Sequence, residues 1–115
     1  MALYTKRIFV PAGNPESSPI TTNFTIRENV ITRIDVMIDT VATKGLVGVK
    51  IAVGRPGFKV FAFPRDSEDW IRKAETYIEN INLLEPNLPA SILVAGEGTT
   101  KNHTVIVSIH TASSS

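Results

Sequence analysis

The chain has 115 residues, 43% of them hydrophobic and 20% charged: one domain with apolar surface enough for a single core, which excludes a disordered chain. Twelve basic residues against eleven acidic ones leave a formal charge of +1, too balanced for a protein whose main task is to grip nucleic acid. There is no cysteine, so disulfides, thiolate metal sites and cysteine nucleophiles are excluded together.

Apolar residues recur with a period near two, the rhythm of strands whose successive side chains point to opposite faces. Residues 3–10 read as a first strand, with Ile8 and Val10 on one face and Phe9 on the other. The segment that follows, Pro11-Ala12-Gly13-Asn14-Pro15-Glu16-Ser17-Ser18-Pro19, is extended or loop-like on account of its prolines and glycine. Residues 1–19 are therefore either an ordinary first strand with its loop or an arm that docks on a neighbouring subunit. In the second case, removing residues 1–11 leaves a folded domain that assembles poorly.

Residues 20–27 form a strand with Ile20, Thr22, Phe24 and Ile26 in register, and Glu28-Asn29 turns into a long strand over 30–40. Ala42-Thr43-Lys44-Gly45 reverses the chain into a strand over 46–53. There Gly48 marks a bulge or a close backbone approach. Gly54-Arg55-Pro56-Gly57 then closes a hairpin with residues 58–63.

The stretch 66–85 supports two readings. Trp70, Ala74, Tyr77, Ile78 and Ile81 are helically spaced, whereas Tyr77, Ile81 and Leu83 share a strand parity. The favoured reading is a short helical turn from about Ser67 to Ala74, capped by Asp66 or Ser67, then a strand near 76–83. Residues 90–95 and 103–110 read as a second hairpin around Gly96-Glu97-Gly98-Thr99-Thr100-Lys101. Seven or eight strands with regular turn signals predict an all-β, single antiparallel β-sandwich, jelly-roll or immunoglobulin-like, occupying residues 20–110. Residues 111–115 form a flexible tail.

Candidate chemistry is sparse. His103 and His110 lie seven apart on one strand and face opposite ways, so they cannot share a metal. Asp35 and Asp39, four apart on a strand, would stand roughly 13 Å from each other, too far for a glycosidase acid–base pair. Asp66-Ser67-Glu68-Asp69 lacks the ligand spacing of a calcium loop and reads as a helix start. The Gly96–Lys101 loop lacks the Gly-Lys-Ser/Thr ending of a phosphate loop, and no serine sits in a Gly-x-Ser-x-Gly elbow. Asn23-Phe24-Thr25 and Asn102-His103-Thr104 match the N-glycosylation pattern, which matters only in an exported chain. No catalytic, cofactor-binding or metal-binding residue emerges. No apolar run reaches the roughly 18 residues of a membrane span. The first residues, Met1-Ala2-Leu3-Tyr4-Thr5-Lys6, lack the pattern of a secretion signal, so synthesis in the cytoplasm is expected.

The succession Lys44-Gly45-Leu46-Val47-Gly48-Val49-Lys50-Ile51, then Asp69-Trp70-Ile71, then Asn102-His103-Thr104-Val105-Ile106-Val107 resembles small β-sandwich proteins of tailed phages and related archaeal viruses. In that group a Gly-Leu-x-Gly-Val strand, a Trp after an acidic turn and a closing His-Thr-Val-x-Val strand recur in this order. The resemblance covers about residues 20–109. It implies a non-enzymatic virion component made in the host cytoplasm: a capsid decoration (cement), turret or spike-base protein. It carries over no active site.

On this reading the chain contacts copies of itself, the major capsid protein, or both, and it neither binds nucleic acid directly nor spans a membrane. Ile8, Phe9 and Val10 of the first strand and Phe58, Phe61 and Phe63 of the fifth are the expected interface residues. The alternative is a module for carbohydrate or a host-surface glycan, with Trp70 and Tyr77 as its ligand-binding residues beside the 54–57 turn.

Overall fold

The computed structural model describes residues 2–55, 57–64 and 70–113, and of Thr40 and Phe58 the backbone alone. Among the described residues are eight strands: β1 (Ala2–Val10), β2 (Ile20–Ile26), β3 (Val30–Met37), β4 (Gly48–Arg55), β5 (Phe58–Phe63), β6 (Glu75–Asn82), β7 (Leu88–Ala95) and β8 (His103–Ala112). A single helical turn, α1 (Thr40–Thr43), separates β3 from β4.

The strands form two four-stranded antiparallel sheets, in the orders β1-β8-β3-β6 and β2-β7-β4-β5. The pairing is nested: β4 with β5, β3 with β6, β2 with β7 and β1 with β8. One long hairpin is thus rolled so that alternate levels fall in opposite sheets, which is the jelly-roll topology and not an immunoglobulin-like one. Alternation along the strands dictates the packing. Ile34, Val36, Val107 and Ile109 point inward from the first sheet, and Val49, Ile51, Val53, Ile92 and Val94 from the second. All are at most 1% exposed. These β-branched side chains suit a pleated, half-buried surface.

Several expectations are corrected. The 90–95 and 103–110 segments are not a hairpin, because β7 lies in the second sheet and β8 in the first, and the loop between them crosses the sandwich. The strand expected over 30–40 stops at Met37, since Asp39 caps α1: its Oδ1 accepts the Ala42 N–H at 3.1 Å, and its carbonyl accepts that of Thr43 at 2.9 Å. Lys44 (φ 56°) and Gly45 (φ 75°) then turn the chain through the left-handed region, which suits a glycine after a helical turn.

Of the helical turn expected from Ser67 to Ala74, the described part is not helical. Ile71 exchanges backbone hydrogen bonds of 2.9 Å with Val49, so this segment extends alongside β4. Residues Asp66, Ser67, Glu68 and Asp69, with the acidic run they form, lie outside the described residues, as do Pro56, Ser114 and Ser115. Finally, β8 runs two residues beyond His110. Thr111 is fully buried and pairs with Ala2, so the sheet takes in the start of the segment expected to be a tail.

Candidate interaction face

The outer face of the β1-β8-β3-β6 sheet is built from the residues that alternate with the core. Register aligns Leu3, His110, Arg33 and Ile78 in one row across the four strands, and Thr5, Ser108, Asp35 and Thr76 in the next. A third row holds Arg7, Ile106 and Met37, and a fourth Phe9 and Thr104.

The polar centre of this face is closed on itself. The Asp35 carboxylate forms an ion pair with Arg33, whose Nε donates to both of its oxygens (2.9 and 3.1 Å), accepts a hydrogen bond from Thr76 Oγ1 (2.8 Å), and lies 3.5 Å from His110 Nε2. Burial pushes its carboxyl up. The hydrogen bonds from Arg33 and Thr76 and the charges of Arg33 and His110 outweigh that, and hold it below the usual aspartate range. Beside it the Ser108 and Thr5 hydroxyls lie 3.3 Å apart. Serine, histidine and aspartate are thus neighbours without forming a nucleophile–base pair: the serine is turned to Thr5, and the aspartate already accepts three hydrogen bonds from two donors, Arg33 and Thr76. An open depression of about 390 Å³ on this face is lined by Arg33, Asp35, Val36, Met37 and residues Ala74, Glu75 and Thr76.

Around that centre stand exposed apolar side chains. Leu3 and Phe9 on β1 are each 57% exposed, Met37 at the end of β3 48%, and Ile78 on β6 70%. Lone exposed apolar residues are ordinary, but four on one sheet face are the raw material of a contact surface.

The expected interface residues divide. Ile8 and Val10 point into the core, paired across the sheet with Val105 and His103, and Phe61 and Phe63, paired with Val53 and Ile51 of β4, are buried in the core as well. Phe9 alone of the β1 trio faces outward. The Phe58 side chain lies outside the described residues. The two ligand-binding candidates are not brought together. Tyr77 packs from β6 on Phe63, ring centroids 5.1 Å apart, with its hydroxyl bonded to Glu79. Trp70 lies on the other sheet, against Gly48, with the Lys50 ammonium 4.6 Å from its ring centre.

His103 and His110 are separated as their parity requires. His110 belongs to the Asp35 cluster, whereas His103 lines a cavity beside the β7–β8 loop. Asp35 and Asp39 do not share a face, because Asp39 serves α1. Among the described residues no group of three or more His, Cys, Asp or Glu gathers as metal ligands would, and no helix is long and apolar enough to cross a membrane. The cluster of Arg33, Asp35, Thr76 and His110 was half visible in sequence, as Arg33 and Asp35 two apart on a strand. His110 and Thr76 arrive through strand register, which leaves no local trace.

No family model matches the chain, and no curated protein does. Among solved structures it is similar to a chain of the infectious bursal disease virus VP2 subviral particle. That likeness has a TM-score of 0.36 and 9% identity, over 93% of this chain and 32% of the other. The chain therefore spans about a third of the length of that neighbour. A likeness of this strength transfers neither a family nor a function.

Proposed function

We propose that this protein is a non-enzymatic structural subunit of a virus particle, of the capsid decoration, turret or spike-base kind found in tailed phages and related archaeal viruses. It works by subunit–subunit contact, and its partners are other copies of itself, the major capsid protein, or both. The observation that carries the reading is the outer face of the β1-β8-β3-β6 sheet. There Leu3, Phe9, Met37 and Ile78 stand exposed around a polar centre with no free nucleophile–base pair. Such a surface suits docking better than chemistry. The jelly roll adds support, since the architecture recurs in viral shells, although it also recurs in lectins. The glycan-binding alternative has less support, because Trp70 and Tyr77 lie on different sheets.

The test is quantitative mass spectrometry of particles purified from the native source. Many copies of the chain per particle are expected. Its absence from particles, with the chain present in the soluble fraction, overturns the reading.

A further inference from the structure

Strand register gives the outer face of the β1-β8-β3-β6 sheet a symmetry of its own. In the first row Leu3 and Ile78 stand at the two edges, with His110 and Arg33 between them. In the second row Thr5 and Thr76 stand at the edges, with Ser108 and Asp35 between them. In the third, Ile106 and Met37 hold the centre. Each row therefore has the same character read from either edge. The edges themselves are guarded against strand addition. Lys6 on β1 alternates with exposed residues in the same parity as Ile8 and Val10, and its ammonium lies 5.1 Å from the Phe24 ring centre in the other sheet. Glu79 on β6 shares the parity of Tyr77 and Ile81. Charged residues at inward positions discourage edge-to-edge pairing, which leaves the face as the surface open to a partner.

We infer that this face packs on the same face of a second copy, about a two-fold axis parallel to the strands and midway between β8 and β3. The inference rests on the reading of this face as a contact surface, and it names the occupant. Such an axis keeps every row and exchanges the edges. Leu3 (57% exposed) then covers the second copy's Ile78 (70%), and Ile106 covers its Met37 (48%). Thr5 meets Thr76 and Ser108 meets Asp35, so hydroxyls face hydroxyl or carboxylate and the two Asp35 carboxylates do not oppose each other. Arg33 comes opposite His110, and each lies against the Asp35 of its own chain.

Charge is complementary too. Arg7, in the third row of β1, comes opposite the start of β6, where Glu75 lines the depression on this face. Among the described residues neither Arg7 nor Glu75 makes an ion pair within the chain. The dimer brings them together twice, once on each side of the axis. An axis across the strands would instead set Leu3 against Arg7 and Met37 against Arg33. Sheets packed face to face keep their strands within about 30° of each other, which leaves the central rows in contact.

The experiment is sedimentation equilibrium of the full chain, joined to charge reversal and cross-linking. A concentration-dependent dimer is expected. Arg7→Glu and Glu75→Arg should each weaken it by about tenfold or more, because each sets like charges together, and the double variant Arg7→Glu/Glu75→Arg should return it to near the parent. The chain has no cysteine, so single cysteines placed on the face report its neighbours. A thiol-directed cross-linker spanning about 10 Å, the separation of stacked sheets, should join Leu3→Cys chains to Ile78→Cys chains and neither to its own kind. A monomer at every concentration, a double variant as weak as the single ones, or Leu3→Cys chains that link to one another as readily as to Ile78→Cys chains would each overturn the inference. A monomeric chain present in many copies on particles gives the face to a different partner: it strikes out the two-fold and leaves the virion reading standing. A dimer with these cross-links, formed by a chain absent from particles, does the reverse.

Discussion

The indole of Trp70 rests on the backbone of Gly48, so closely that a Cβ added at position 48 would stand 2.6 Å from the Trp70 Cβ and 2.9 Å from its Cγ. The glycine at the start of β4 is explained by this contact. Trp70 covers the outer face of the second sheet, and Lys50 closes over the ring. Gly48→Ala should therefore displace the indole and cost about 1–3 kcal/mol, the usual range for forcing an extra methyl into a filled site. Urea unfolding followed by tryptophan emission reads both effects, since the displaced ring emits further to the red. An alanine variant with parental emission and midpoint would refute the contact.

Acid should loosen the N-terminal strand. Glu28 Oε1 accepts hydrogen bonds from Tyr4 (2.7 Å) and Thr111 (2.8 Å), tying β1 and β8 to the β2–β3 turn. The Tyr4 hydrogen bond holds the Glu28 carboxyl below its usual range. Burial opposes it and the Thr111 bond assists. A carboxyl lowered in the folded state stabilises above its unfolded value of about 4.3, and that contribution fades as pH falls through the folded value. Tyr4 has the opposite sign. Burial first, then the Glu28 contacts, raise its phenol against the Arg27 N–H, so its contribution holds below about pH 10 and fades above. The stability gap between the parent and Glu28→Gln, measured by urea midpoints from pH 7 to 3, should narrow toward acid. A constant gap would argue against the latch.

Removing β1 should not leave a sound domain. Ile8 and Val10 are 3% and 0% exposed, and all nine residues of β1 pair with β8. Ile8→Ala should cost about 2–5 kcal/mol by calorimetry or denaturant unfolding, as buried isoleucines do. Deletion of residues 1–11 should yield a chain that binds hydrophobic dyes and aggregates. A truncated protein with a cooperative transition near the parent's would restore the detachable arm expected from the prolines.

The apolar flanks of the first sheet should behave otherwise. Phe9→Ser and Ile78→Ser alter side chains that are 57% and 70% exposed, so stability should change by no more than about 0.5 kcal/mol. Self-association or particle attachment, followed by sedimentation, should weaken in both. Unchanged association would move the contact surface elsewhere.

Much of this architecture was legible because burial imposes a period on sequence. The strands of β4 and β8 announce themselves through Val49, Ile51 and Val53 and through Val105, Val107 and Ile109. The Gly54–Gly57 turn correctly joins β4 to β5. Pairing over distance was not legible. Nothing local says that the segment after Ala95 crosses to the other sheet, or that Ile8 meets Val105, so the choice between a first strand and an arm stays open in the sequence and Ile8 and Val10 read as interface residues although they are core. The turn at α1 is too short to show helical periodicity. Its exit glycine, Gly45, was in view as the end of the Ala42–Gly45 reversal, whereas its cap, Asp39, read as a strand residue. Phe61 and Phe63 read as interface residues because parity identifies two faces without saying which one is wet. The Asp35 cluster needed the β3–β8 and β3–β6 registers before it could be seen at all.

The nesting of the strands also sets an order of assembly. The β4–β5 hairpin closes the shortest loop, whereas the Thr111 hydroxyl reaches the Ala2 carbonyl across a separation of 109 residues. Each outer pairing becomes a short closure only after the pairing inside it has formed. The chain therefore rolls up from its middle outward, and the union of its first and last strands is the final stitch and the first to come undone.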